Sequence, residues 1–330
     1  MKRPWLAPLV PLYAAGVAWR SRQHRPAQRL AWPVLSIGNL STGGAGKTPL
    51  AIALAQLLTA RGIAVDVLSR GYGRQSSQPM RVDPAGSADQ FGDEPLLIAR
   101  ATGVPVYVAP QRYQAGLLAE AGDRAASGQQ DLRGSQCPHA HILDDGFQHR
   151  RLARSIDILL LDRSDFHDTL LPAGNLREPL RAAMRASVIA IPADDSAFEA
   201  ELRAWGWNGP LWRLRRRMEI PAVAGPAVAF CGIARPEQFF SGLAATGMRI
   251  PRRISFPDHH HYTPRDIRQF DEAAQRVGAV ALLTTEKDKV RLRNLAPQRP
   301  LLTVGLRTEI EDEHTVLDWL AERIETAQAV

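Results

Sequence analysis

Cysteine is nearly absent from this 330-residue chain: Cys137 and Cys231 alone occur, without metal-ligand spacing. A disulfide scaffold is excluded, and the pair fits a reducing cytosol. No internal repeat or coiled-coil heptad run is evident. The N-terminal apolar run from Trp5 to Trp19 is 15 residues long and broken by Pro8 and Pro11, which is short for a membrane span. Lysine is scarce, and arginine carries most of the positive charge behind a net +7. That balance favours anionic partners, although an arginine-rich genome produces it too. No basic stripe interleaved with aromatics appears after residue 217, so no nucleic-acid partner is expected. With 45% apolar residues the chain can bury a sizeable core, which excludes disordered and fibrous classes and suggests one large or two ordinary α/β domains.

What is present centres on Val34 to Arg61. An apolar strand is followed by Asn39-Leu-Ser41-Thr42-Gly43-Gly44-Ala45-Gly46-Lys47-Thr48 and a helical pattern, the context a phosphate-binding loop requires. Gly43, Gly44 and Gly46 lack a Cβ, so the backbone is free to take positive φ and turn N–H groups on an anion. Lys47 supplies a point charge for the β- and γ-phosphates, Thr48 a hydroxyl for Mg²⁺, and the helix N-terminus a further partial positive charge. Leu50, Ala53, Leu54, Leu57 and Leu58 share a helix face, Pro49 fits the first turn and Gly62 ends the helix. Ser41 replaces the first glycine of the strict pattern. A Gly-rich turn that binds nothing is the alternative, but strand, loop and helix in register point to a nucleoside triphosphate enzyme.

The rest of the chain reads as alternating strands and helices. Behind the N-terminal run come Arg20, Arg22, His24, Arg25 and Arg29, while Trp5, Tyr13 and Trp19 are types that settle at a headgroup layer. A monotopic anchor, a helix packed on the domain and a signal peptide compete there, the last disfavoured because a triphosphate-using loop needs the cytosol. A second strand, Ala64 to Ser69, leads into Arg70-Gly-Tyr72-Gly-Arg74, at a strand end where ligands bind or where a loop is simply solvated. Residues 75 to 90 read as a mobile polar loop. Asp93 opens a helix and is placed to cap it. A strand over Val104 to Val108 precedes a helix at Arg112. His141-Ile-Leu-Asp144-Asp145-Gly-Phe-Gln148-His149 is an apolar strand ending in carboxylates, which suits Mg²⁺ held directly or through water. Strands follow at Ile156 to Leu161 and Val188 to Ile191, with Arg177 and Glu178 between them as a phosphate or Mg²⁺ contact or a surface ion pair. Leu211 to Arg217 reads as a half-exposed strand crossing between domains. A smaller α/β unit then has strands Ala227 to Cys231, Arg253 to Phe256 and Val280 to Thr285, and helices from Pro236 and Pro264. Its second strand runs into His259-His260-His261, of which one is expected in an interdomain cleft and the others on the surface; Thr284 to Asp288 reads as a helix cap with surface charges.

Taken in order, these motifs resemble the tetraacyldisaccharide 4′-kinase (lipid A 4′-kinase) family along nearly the whole chain, through residues 36–49, 69–73, 92–95, 143–149, 171–179, 230–236, 256–260 and 284–288. Ser41 is in keeping with that family's loop. The resemblance implies an α/β fold, with a P-loop kinase-like parallel-sheet domain at residues 31–217. It also implies a membrane-associated helix at 1–30 and a smaller α/β/α domain at 218–330 closing over the active site. It implies ATP and Mg²⁺ as cofactors, and transfer of the γ-phosphate to the 4′-hydroxyl of a membrane-embedded tetraacyl disaccharide 1-phosphate. By motif, Asp93 becomes the general base, against the capping reading, with His259 beside it. Residues 41–48 hold the nucleotide, and Thr48, Asp144, Asp145 and Glu178 lie near the metal. Arg70, Tyr72, Arg112, Gln148, His149 and Arg177 become secondary phosphate or lipid contacts. The implied location is the cytoplasmic face of the inner membrane, peripheral or monotopic, with no obligate protein partner. A membrane-surface ATPase switch is the rival, because Gly43 to Thr48 resembles the loop of partitioning ATPases; Thr42 stands where those carry a signature lysine.

Overall fold

The computed structural model describes residues 3–22, 26–127 and 138–328; His24, Arg25 and Cys137, singled out above, lie outside the described residues. The described strands are β1 (Val34–Asn39), β2 (Ala64–Ser69), β3 (Met80–Arg81), β4 (Val106–Val108), β5 (His139–Asp144), β6 (Ile156–Leu160), β7 (Val188–Pro192), β8 (Leu211–Glu219), β9 (Ala227–Cys231), β10 (Arg252–Ser255), β11 (Ala281–Thr285) and β12 (Leu301–Ile310). The helices are α1 (Val10–Arg22), α2 (Lys47–Ala60), α3 (Ala88–Phe91), α4 (Asp93–Thr102), α5 (Arg112–Ser127), α6 (Arg163–Phe166), α7 (Ser196–Ala204), α8 (Pro236–Ala245), α9 (Pro264–Arg276), α10 (Glu286–Leu292) and α11 (Glu313–Gln328).

One sheet runs in the order β10-β9-β11-β12-β8-β7-β6-β1-β5-β2-β4-β3. It is parallel except where β12 meets β8 and β3 meets β4. β1 sits between β5 and β6, both later in the chain, so its carboxyl end is a point where connections diverge and a crevice opens. All six β1 residues are buried, as a strand covered on both faces requires. The sheet is continuous through β8, which pairs with β7 on one side and β12 on the other.

Helix α2 is buried more completely than its single predicted face. Ala51, Ile52 and Ala55 are covered as well as Leu50, Leu54 and Leu58, because β12 and Val316, Leu317, Leu320 and Ile324 of α11 join the same core. The chain end therefore packs on the phosphate-loop helix. Residues 75–90 are not a plain polar loop: β3 adds to the sheet edge, and α3 carries a capping box between Ser87 and Gln90. Val82 and Phe91 are buried in the main core and hold the segment down. At the N-terminus a 3₁₀ turn (Pro4–Leu9) precedes α1. Arg3 N donates to Ala173 O at 2.7 Å and Tyr13 Oη to Arg177 O at 3.1 Å, while Trp5, Leu12 and Trp19 stay largely exposed.

At the amino ends of β1 and β5, opposite the loop, lies a buried charged cluster. His141 Nδ1 is 2.7 Å from Asp66 Oδ1 and Nε2 3.5 Å from Glu120 Oε1; His139 Nε2 is 3.2 Å from Asp66 Oδ2 and stacks on Trp32. Burial alone lowers the pKa of His141, but the charge and hydrogen bond of Asp66, helped by Glu120, outweigh it and push it up to about 9 from 6.5. A raised folded-state pKa stabilises fully below the unfolded value and the contribution is lost as pH climbs through the folded one. Unfolding free energy is therefore expected to fall by a few kcal/mol between pH 6.5 and 9.5, measured by urea titration, and His141→Gln is expected to flatten the slope. A wild-type stability unchanged over that range contradicts this role.

Candidate active site

The phosphate loop leaves the buried end of β1 through Asn39, whose Nδ2 donates to Ser41 O and Ser41 Oγ, both at 3.0 Å. Thr42 N donates to Asn175 O at 2.8 Å. Gly43 and Gly46 take positive φ, +108° and +89°, a region closed to side chains that carry a Cβ except under strain. Gly44 does not; it lies where Ala234, after β9, comes close, 3.9 Å from a built Cβ. Lys47 Nζ donates to Asn39 Oδ1 at 3.0 Å and sits 3.5 Å from Asp145 Oδ1.

A cleft of about 830 Å³ opens over this loop. Residues 42–48 form its floor, Arg70, Tyr72, Arg112, Asp144, Asp145 and Arg177 one wall, and Arg235, His259, Lys287 and Leu306 part of the other. Asp144 is buried and its Oδ1 has no hydrogen-bond partner among the described residues. Burial, then the charges of Glu94 and Asp145, push its pKa up to about 7. An unpartnered buried carboxylate lining the same cleft as the Thr48 hydroxyl is a fitting donor set for a hard cation. Asp145 differs: burial would raise its pKa, but Lys47 and Arg177 hold it below the usual carboxylate range. Arg177 Nη2 is 3.1 Å from Asp145 Oδ1 and also donates to Asn39.

Asp93 is the first residue of α4, and Gly92 rather than Asp93 holds the N-cap position. Its Oδ1 accepts Glu94 N at 3.0 Å. Oδ2 accepts Arg291 Nε at 2.7 Å and Arg291 Nη2, with His259 Nδ1 at 3.1 Å and Lys287 Nζ at 3.9 Å. Burial would raise the pKa of Asp93, yet the His259 hydrogen bond and the charges of Lys287 and Arg291 hold it well below the usual range. The His259 ring leans on Tyr72 at 5.2 Å. His260 instead stacks on Phe256 and faces Asp266 Oδ2 at 3.2 Å, and His261 is exposed.

Three expected contacts fall elsewhere. Glu178 does not line the cleft; its carboxylate takes Arg185 Nη1 at 2.8 Å, and that guanidinium covers the Phe147 ring. Gln148 stands behind the loop, donating to Asn39 O at 2.9 Å. His149 sits beside the cleft rather than in its lining, and burial with the charges of Arg112, Arg154, Arg151 and Arg70 pushes its pKa down to about 4, so it is neutral at pH 7. Thr285 does cap α10, but Asp288 is fully buried and Lys287 reaches Glu94 Oε1 at 2.7 Å, so neither is a surface charge.

A family model described as tetraacyldisaccharide-1-P 4'-kinase matches residues 2–325. The chain belongs to that family and is a kinase. The kinase is 40% identical to a tetraacyldisaccharide 4'-kinase of Koribacter versatilis, over 97% of this chain and 99% of that one. It is 43% identical to one of Gluconacetobacter diazotrophicus, over 87% and 84%. It is similar to the crystal structure of the "apo" form of LpxK from Aquifex aeolicus in complex with ATP, with TM-score 0.74, 31% identity and coverage of 97% and 98%. Around the kinase's loop the sequence reading missed Asn39 and Arg216, and around Asp93 it missed Lys287 and Arg291. Arg216 of β8 donates to Ala45 O and lies over Gly46. A buried asparagine closing a strand before a Gly-rich loop, and basic residues four apart on a short helix, were the available signals.

Proposed function

We propose that this chain transfers the γ-phosphoryl group of ATP to the 4′-hydroxyl of a tetraacyldisaccharide 1-phosphate. The observation that carries this reading is the pairing of buried Asp93, whose neighbour Glu94 lines the cleft floored by the phosphate loop, with His259 of the cleft lining. Residues 41–48 cradle the triphosphate through backbone N–H groups, and Lys47 leaves Asn39 for the β/γ-phosphates. Thr48, Asp144 and Asp145 are the residues that would hold Mg²⁺, whose chemistry is to neutralise charge on the phosphates. Asp93 takes the proton of the acceptor hydroxyl as its oxygen bonds to the γ-phosphorus; the bond from that phosphorus to the β,γ-bridging oxygen breaks and ADP leaves. His259 shares the proton with the Asp93 carboxylate and keeps it oriented. Arg70, Tyr72, Arg112 and Arg177 line the acceptor side. The two sides of the cleft, one carrying the phosphate loop and the other His259 and Lys287, close on the substrates.

The substrate explains the exposed N-terminal face. Four acyl chains of about a dozen carbons hold a lipid in the bilayer by something on the order of 40 kcal/mol, so the enzyme must come to it. No helix among the described residues is long and apolar enough to cross a membrane. Trp5, Leu9, Leu12 and Trp19 are exposed on a segment tied to the 171–177 loop, and Arg20 and Arg22 follow in the last turn. They dock at the inner leaflet on the cytoplasmic face, as a peripheral attachment. Deleting residues 2–20 is expected to abolish co-sedimentation with anionic vesicles and to cut lipid-dependent activity; full binding and activity in the deletion contradict the docking.

The reading is tested by ADP release with Mg·ATP in mixed micelles. ADP formation is expected to require tetraacyl disaccharide 1-phosphate. Turnover that ignores the lipid supports an ATPase switch instead.

A further inference from the structure

The most heavily bonded side chain bordering the cleft is Arg291, in the second unit. It is 6% exposed and all three of its nitrogens are used. Nη1 donates to Asp288 Oδ1 at 3.1 Å and to Gly232 O, while Nε and Nη2 both go to Asp93 Oδ2. Asp288 is itself immobilised: Oδ1 accepts Gly232 N at 3.1 Å and Oδ2 accepts Thr285 Oγ1 at 2.7 Å. Nη2 also lies 3.2 Å from His259 Nδ1, so one guanidinium touches both members of the proposed dyad. Two further ion pairs tie the same stretch to the first unit: Lys287 to Glu94 on α4, and Arg293, just past the end of α10, to Asp89 on α3.

Two N–H groups of one planar guanidinium converging on a single carboxylate oxygen hold that oxygen in place as well as supplying charge. A buried arginine left without its carboxylate is costly, so the guanidinium also constrains where α4 can sit. We propose that Arg291, braced by Asp288, is a positioning residue for phosphoryl transfer, holding the Asp93 carboxylate in the one orientation that meets His259. The proposal rests on the dyad reading above. The groups facing Asp93 are Glu94 on its own helix, Lys287 and Arg291 on α10, and His259 on the segment after β10; Asp258 lies 3.7 Å from Arg291 and Tyr72 lies against the His259 ring. Of these, Arg291 is the cation with two bonds to the carboxylate.

Removing the guanidinium frees the carboxylate from its fixed rotamer, which lowers kcat while leaving the nucleotide site as it was. His259 and Lys287 still hold the Asp93 carboxylate ionised, so the loss is one of geometry rather than of protonation. A residue that merely supports the fold lowers thermal stability and moves KM along with kcat, and a variant that keeps only the charge does not partly rescue kcat alone.

The experiment measures kcat and KM for Mg·ATP in the full chain for Arg291→Gln, Arg291→Lys, Asp288→Asn and Asp93→Ala, with thermal melts to confirm folding. For Arg291→Gln the expected result is a kcat loss of about 10–100-fold, with KM for Mg·ATP within about threefold of wild type. Arg291→Lys keeps the charge and loses the planar geometry, so it should restore only part of kcat. Asp288→Asn should fall between wild type and Arg291→Gln. Wild-type kcat in Arg291→Gln overturns the proposal, and so does a loss that appears in KM for Mg·ATP rather than in kcat. Should Arg291→Gln not fold, Arg291→Lys decides, and wild-type kcat there overturns it. Asp93→Ala separates the two levels: if it keeps wild-type activity the dyad reading has failed, whereas a dead Asp93→Ala beside a normal Arg291→Gln removes Arg291 alone.

Discussion

Asp93→Ala is expected to lower kcat by about 10²–10⁴, the range associated with loss of a positioned general base. The residue touches none of the described phosphate-loop groups; its partners are Glu94 N, Arg291, His259 and Lys287. KM for Mg·ATP should therefore move little, the signature of an interaction made only in the transition state. The alanine also strands Arg291 in a buried position, and breaking such a pair typically costs about 3–5 kcal/mol of stability. Asp93→Asn is the control, since it keeps volume and a partner for the guanidinium while removing the charge. Steady-state kinetics on both, with melts, check the claim. Activity near wild type in a folded Asp93→Asn removes Asp93 from the base role.

Lys47→Met is the second large effect, with kcat expected to fall by about 10²–10³, as when one preorganised electrostatic group is lost from developing charge. Methionine keeps the stem and deletes the ammonium. In the structure that ammonium rests on Asn39 Oδ1 and near Asp145, both polar groups it can exchange for phosphate oxygens without unfolding the loop. Lys47→Arg should not rescue, because a planar guanidinium cannot replace a compact point charge at that place. Comparing kcat with KM distinguishes outcomes: a raised KM at unchanged kcat assigns Lys47 to ground-state binding instead.

The phosphate loop was legible because its chemistry is local. Strand, glycines, Lys47 and Thr48 follow one another, and the structure keeps them in that order at the end of β1. The same holds for Asp144 and Asp145 at the tip of β5. Asp93 was ambiguous from its neighbours, since a helix-opening aspartate is usually a cap; what distinguishes it is Arg291, 198 residues away in sequence. Thr284 to Asp288 misled for the converse reason. Its cap is real, but burial of Asp288 depends on Gly232 and Arg291, which no local pattern announces. Glu178 was placed near the metal because Arg177 precedes it, yet adjacent residues point apart, and Arg177 enters the site while Glu178 turns to Arg185. β12 and α11 went unread because Leu301 to Ile310 only partly alternates, and α11 is understood only once its apolar face is seen against α2.

The measurement that tests the account most directly is the identity of the phosphorylated product. Wild-type protein, Mg·ATP and tetraacyl disaccharide 1-phosphate are incubated in mixed micelles, and the lipid is examined by ³¹P NMR. One new phosphomonoester on the 4′-oxygen, formed one-for-one with ADP, is the predicted result. ADP accompanied only by free phosphate, or a diphosphate built on the existing 1-phosphate, contradicts it.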